Sequence, residues 1–435
     1  MNLHLDMLFP SVMLIVIYAA ILFVPGYLVL TIFRVERYRF FLSYMLSLYV
    51  LFLIIAVASL ARIQMEFIVF LYAGFIIVLL MIVLLKWLWN KQLSANSHSF
   101  KALSMPKLPG LHVTVPMTIV LIIAVHHGLV GPYTEIPSDF WRHLARTVDL
   151  YKYLEEKQHD ISSKLFQVGG IRYWYLTHAV VSRVLDRHPL ETVAAITLVT
   201  SISFVLATYW FTLQICEPLK LSRIGKFTAA GISSLLIVTT FGTATFSYVR
   251  YYAFSPAIVA FPLVYFTAIL STDILKRPTV AWRALFLLSL VILLASATHF
   301  QEGLFCTIIF LTILGVGTLR IIKTKKNLST NHELHRKYLY RLVTILVIVV
   351  SPILVGLISV KAQRPWMASA HAIDLGEAIG IFSGHPIANP GFRVWDTIGV
   401  FGVVIYILYV FRQKHLRELD YLTAGMAIPL LTCLN

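Results

Sequence analysis

Tyr133-Thr-Glu-Ile-Pro-Ser-Asp-Phe-Trp-Arg-His-Leu-Ala-Arg-Thr-Val-Asp-Leu-Tyr151 interrupts an otherwise apolar chain and decides how the rest is read. Pro137 and Ser138 mark a helix start, with Ser138 placed to cap it. From Asp139 onward, Arg142, His143 and Arg146 recur at helical spacing, so all four share one face. Phe140, Trp141, Leu144, Val148 and Tyr151 fill much of the remainder. This pattern predicts an amphipathic helix that lies along a membrane rather than across it.

The composition around it sets the class. Of 435 residues, 59% are hydrophobic and 13% charged, and the mean hydropathy is +0.81. A soluble domain carries about 25% charged residues, so the sequence reads as an all-α polytopic membrane protein. The net charge of +16 comes from basic residues clustered in short loops between apolar runs. Membrane orientation explains that clustering better than nucleic acid does, and no basic patch with interleaved aromatics stands outside the runs. Cys216, Cys306 and Cys433 lie in or beside apolar runs and offer neither a disulfide framework nor metal-ligand spacing. The first run lacks a basic leader and a small-residue cleavage site, and is read as a span rather than a signal peptide.

Runs long enough to cross a bilayer start at Ser11–Phe33, Phe40–Leu60, Phe67–Trp89 and Val113–Leu129. After the polar stretch come Thr192–Cys216, Phe227–Phe246, Ala257–Thr272, Trp282–Ala297, Leu304–Ile322, Leu342–Val360, Thr397–Phe411 and Tyr421–Leu434. At roughly 20 residues per crossing, this amounts to about twelve spans. Lysine and arginine cluster in every second loop: Arg34 to Arg39, Lys86 to Lys107, Lys220 to Lys226, Lys276 to Arg283, Arg320 to Arg341, and Arg412 to Arg417. Those loops are assigned to the cytoplasm and the N-terminus to the outside. The scheme is consistent only if Ile171–Leu185 does not cross, and its Arg172-Tyr-Trp-Tyr start suits an interfacial helix. Three segments follow: 1–112 with the first helices and a cytoplasmic loop, 113–322 with the core and its outer loop 131–191, and 323–435 with an outer loop 361–396. The outer loops are long, acidic and aromatic, which places function on that face.

This layout resembles the GT-C glycosyltransferases, polytopic enzymes that take sugar from a polyprenyl-phosphate carrier on the outer face of a membrane. The resemblance covers roughly Val113–Ile322 and is one of pattern. A span (Val113–Leu129) enters the first outer loop, an acidic residue follows (Glu135, Asp139), and two juxtamembrane helices succeed it (Asp139–Leu154 and Ile171–Leu185). Tyr173-Trp-Tyr-Leu-Thr-His178, His188-Pro-Leu-Glu-Thr192 and Thr298-His-Phe-Gln-Glu302 are similar to family sequences. The chain departs from the family in lacking a paired Asp-Asp, Asp-Glu or Asp-x-Asp, and in carrying three apolar runs ahead of the core.

The resemblance implies an inverting transfer. Asp139 is the candidate general base, a role that needs a carboxylate in reach of the acceptor hydroxyl; its plain alternative is a helix N-terminal acid favoured by the macrodipole. Glu135 would assist it or hold a divalent cation, Mg or Mn, with no other cofactor implied. His143, one turn beyond Asp139, would orient it or touch the sugar, with Arg142 beside it. Arg250, in Tyr248-Val-Arg-Tyr-Tyr252, is the candidate phosphate clamp with Tyr251 and Tyr252, because a guanidinium matches phosphate oxygens; snorkelling in an aromatic belt is its competitor. His299, Gln301 and Glu302 gather where two spans meet, fit for sugar or phosphate contact or for a helix–helix hydrogen bond. Arg364 is a second outer cation. His126-His127 are read as packing, and the loop with His371 and His385 as a flap.

The implied partners are a polyprenyl-phosphate-linked sugar donor, a glycan, lipid or protein acceptor, and membrane lipids, with no nucleic acid. The implied place is a bacterial inner (plasma) membrane, the site facing the periplasm. Two other readings remain open: an O-antigen-type polymerase or ligase centred on outer arginines and histidines, and a non-enzymatic lipid or solute transporter. The second would call for ionisable residues at mid-membrane, and the spans are nearly free of them. No His-Glu-x-x-His, cysteine pair or Walker loop is present.

Overall fold

The computed structural model describes residues 5–60, 65–95, 110–130, 138–155, 172–217, 221–239, 256–276, 282–299 and 302–313. Among these residues every regular element is a helix: α1 (Leu5–Phe33), α2 (Arg39–Leu60), α3 (Met65–Ala95), α4 (Leu111–Val130), α5 (Ser138–Glu155), α6 (Arg172–Val184), α7 (Pro189–Cys216), α8 (Arg223–Thr239), α9 (Pro256–Lys276) and α10 (Trp282–Thr298). An eleventh, α11, runs over Glu302–Ile313.

Five stretches are long and apolar enough to cross a membrane: Val12–Phe33, Arg39–Ala58, Phe67–Trp89, Pro189–Cys216 and Pro256–Ile274. The protein is therefore an α-helical integral membrane protein. Each apolar run predicted over these five lies inside a single observed helix. Those at 342–360, 397–411 and 421–434 lie outside the described residues.

The chain divides into two compact units. The first, Met1–Val238 with Tyr248–Pro262, contains α1 to α7, nearly all of α8 and the first turns of α9. Here α1 packs along α2, α3 rests against both, and α7 lies against α1 and α4. In lipid there is no hydrophobic drive between spans, so close approach and hydrogen bonds must hold them. Gly26 supplies the first: a Cβ there would lie 2.0 Å from the Ser43 carbonyl oxygen, so α1 and α2 cross where only glycine fits. Gly26 also donates its N–H to Ser47 Oγ at 2.9 Å. The Tyr72 hydroxyl donates to the Ile21 carbonyl at 3.0 Å and the Tyr44 hydroxyl to the Val259 carbonyl at 2.7 Å, tying α3 to α1 and α2 to the start of α9.

Two helices in this unit are built differently. α5 buries Leu144, Thr147 and Tyr151 on one stripe and exposes Arg146, Asp149 and Lys152 on another. α6 has 13 residues, about 20 Å of helix, too short for a hydrocarbon core of about 30 Å. It is not open to the bilayer: Trp174 to Val180 are all buried. Tyr173 stacks on Phe52 of α2 with ring centroids 5.1 Å apart, and α5 packs against α6. The cover has a physical reason, since Tyr175, His178 and Ser182 carry polar atoms that lipid cannot satisfy.

The second unit, Thr239–Ser247 with Leu263–Asn435, contains the rest of α9 with α10 and α11. α10 meets α11 closely at Gly303, where a Cβ would lie 2.6 Å from the Ser296 Cα.

Candidate active site

α5 starts at Ser138, so Asp139 falls in its first turn and Arg142 and His143 one turn later. The helix start at Pro137-Ser138 was legible in sequence because proline and a capping serine precede a periodic run. The Asp139 and Arg142 side chains lie outside the described residues, as do Glu135, Arg250, Tyr251, Tyr252, Gln301 and Arg364.

His143 turns toward α6. Its Nδ1 shares a hydrogen bond with the Tyr175 hydroxyl, and the two rings stack at 5.6 Å between centroids. Burial pushes the Tyr175 phenol up to about 12, and the Arg146 guanidinium beside it draws it back. A phenol kept protonated can donate to Nδ1, which places the ring proton on Nε2. Of the face predicted for α5 from Asp139, Arg142, His143 and Arg146, the last two address Tyr175, while Asp149 and Lys152 further along the helix are exposed.

Beyond this pair a second cluster joins α6, α7 and α1. His178 Nε2 meets the Thr192 hydroxyl at 2.6 Å, and Ser182 Oγ meets the same oxygen at 2.8 Å. Thr192 also donates to the Pro189 carbonyl at 3.2 Å. All three side chains are fully buried. Tyr18 of α1 packs edge-on against His178, centroids 5.9 Å apart. Its hydroxyl lies beside Thr192 and Ser182 without a well-aligned hydrogen bond. Burial lowers the His178 imidazole to about 3, so at neutral pH the ring is uncharged and the cluster is a neutral latch, not an acid–base centre.

The turn from α6 to α7 is made without glycine. Asp186 adopts φ 49°, the left-handed region. His188 caps α7, its Nδ1 accepting from the Leu190 N–H at 3.3 Å, with Pro189 at the first helical position. Arg187 and Glu191 form an exposed ion pair at 3.1 Å.

In the second unit His299 Nδ1 hydrogen-bonds the Glu302 carboxylate. Glu302 is buried and His299 half-buried. The proximity expected of these two residues is therefore found, and the contact ties the end of α10 to the start of α11.

Sequence reasoning did not single out Tyr18, Tyr175, His178, Ser182 or Thr192 as a group. A signal for part of it existed: His178 and Ser182 are polar residues four apart on the apolar face of a short helix. Among the described residues no three His, Cys, Asp or Glu side chains gather as metal ligands. Compared with models of known protein families, with curated proteins and with solved structures, the chain matches none.

Proposed function

We propose that the protein is a GT-C-type glycosyltransferase of about twelve spans, moving a sugar from a polyprenyl-phosphate donor to an acceptor at the periplasmic face of a bacterial plasma membrane. The observation that carries this reading is the α5–α6 pair. Two amphipathic helices, neither apolar enough to cross, stand between apolar α4 and α7, with Asp139 in the first turn of α5. In this reading the reaction is a single displacement at the anomeric carbon. Asp139 takes the proton from the acceptor hydroxyl, and Glu135 assists it or holds a Mg or Mn ion. Arg250, Tyr251 and Tyr252 steady the departing phosphate, with Arg142 and Arg364 as further cations and His299, Gln301 and Glu302 as sugar contacts. Because the lipid phosphate leaves readily once its charge is held, positioning and electrostatics do most of the work. His143, held by Tyr175, positions the first turns of α5.

The test is turnover of radiolabelled polyprenyl-phosphate sugars by the purified protein. Transfer is expected for the native chain. Asp139→Asn should slow it by about a hundredfold or more, the usual contribution of a general base. Transfer unimpaired in that variant removes the base assignment, and no transfer from any such donor removes the reading.

A further inference from the structure

At the opposite end of α7 from the His178–Thr192 cluster lies a cavity of about 560 Å³. Thr192 and Gln214 are 22 residues apart on one helix, about 33 Å along its axis, so the two sites are separate. The cavity is walled by Phe23, Tyr27, Tyr38, Phe40, Phe41 and Trp210. It straddles the ends of two spans: Phe23 and Phe41 lie within Val12–Phe33 and Arg39–Ala58, while Glu36 and Tyr38 belong to the connection between them. That connection is held tightly, with Arg34 and Tyr38 both in the left-handed region at φ 55° and 57°.

The charged groups in this wall are Arg39 and Glu36, with Ser43 and Gln214 as neutral polar groups. Arg39 stacks its guanidinium over the Tyr27 ring at 4.2 Å and donates through Nη2 to Thr31 Oγ1 at 2.8 Å. Its Nε is buried without an acceptor, as is the Ser43 hydroxyl one turn further along α2. Among the described residues no carboxylate pairs with Arg39. Arg34 and Arg37 belong to the same connection, where Glu36 is the one acid. Lys86 Nζ donates to the Ile32 carbonyl at the end of α1. An aromatic cavity at a span end, with a half-buried guanidinium that no described carboxylate pairs and a connection richer in basic than acidic residues, suits an amphiphile carrying a phosphate.

We propose that this cavity binds an anionic phospholipid of the surrounding bilayer. Arg39 receives the headgroup phosphate, Gln214 is a neutral polar group of the wall, and the six rings pack the start of the acyl chains. A cavity of this volume takes the headgroup and upper chains, and the rest of the lipid runs on into the bilayer beside α1 and α2.

The full-length protein in detergent is titrated with phosphatidylglycerol, phosphatidylcholine and inorganic phosphate, and bound ligand is counted by native mass spectrometry. Phosphatidylglycerol should bind about tenfold more tightly than phosphatidylcholine, and Arg39→Gln should weaken it by about tenfold, as expected for loss of a charge-assisted hydrogen bond. Arg34→Gln, which removes an exposed charge, should stay within about twofold. Gln214→Glu places a second carboxylate in the wall beside Glu36 and should weaken phosphatidylglycerol by a similar tenfold factor; this variant serves even if Arg39→Gln fails to fold. Equal binding of the two lipids, inorganic phosphate binding as well as phosphatidylglycerol, or unchanged binding in Gln214→Glu would each overturn the proposal.

Discussion

Helices α6 and α7 follow one another in the chain and differ in where most of their polar side chains find partners. Along α7, Thr197, Thr200, Ser201, Ser203 and Thr208 donate to carbonyls three or four residues back in the same helix. In α6, Thr177 does the same toward Tyr173, but Tyr175 reaches to His143 of α5, and His178 and Ser182 both reach to Thr192 of α7. A hydroxyl satisfied by its own helix leaves that helix free to slide or rotate. One satisfied across helices fixes a register. The bonds of Thr197 and Ser203 stay within α7, whereas those of His178 and Ser182 fix α6 against Thr192 of α7.

The largest effect should follow from Thr192→Val. It strips His178 and Ser182 of their shared partner, and two buried unsatisfied groups together cost about 2–5 kcal/mol. Ser203→Ala, which removes only a bond within α7, should cost less than about 1 kcal/mol. Thermal unfolding of the two purified variants reads the contrast directly, and equal losses would break the comparison.

Acid should act on the same latch. The unfolded chain takes a proton at His178 near its ordinary value of 6.5, whereas burial holds the folded ring unprotonated down to about 3. Between those limits the unfolded state binds more protons, so stability is complete above the upper limit and falls as pH is lowered. The contribution of this one residue is about 1.4 kcal/mol per pH unit. His178→Gln should flatten that part of the pH–stability curve, and an unchanged slope would show that the ring is not the group responsible.

Smaller effects sharpen the picture. Tyr175→Phe removes the hydroxyl that His143 and Arg146 both address and should cost at least about 1 kcal/mol, with loss of α5 protection in hydrogen exchange. Arg187→Gln breaks an exposed ion pair and should change stability by no more than about 0.5 kcal/mol.

What was legible in sequence follows from the same contrast. Hydropathy sums over many residues, so the runs Ser11–Phe33 and Phe67–Trp89 each fell inside a single helix, Leu5–Phe33 and Met65–Ala95. Periodicity with a proline–serine start placed α5, and an arginine-led aromatic run too short to cross placed α6. Which faces meet was not legible. His143 was read with the charged face of α5, yet it turns to Tyr175, because that choice depends on a helix some thirty residues away. Arg39 was read only as one of the basic residues that set orientation, although its guanidinium is held over Tyr27 beside a cavity.

The central claim is that α5 begins at the outer water–lipid boundary with its first-turn carboxylate open to substrate. The direct measurement is labelling of Asp139→Cys in intact cells with a membrane-impermeant maleimide, against the native chain as background. The account predicts labelling from outside, reduced when a polyprenyl-phosphate sugar analogue is present. Labelling that appears only after the membrane is permeabilised would contradict it.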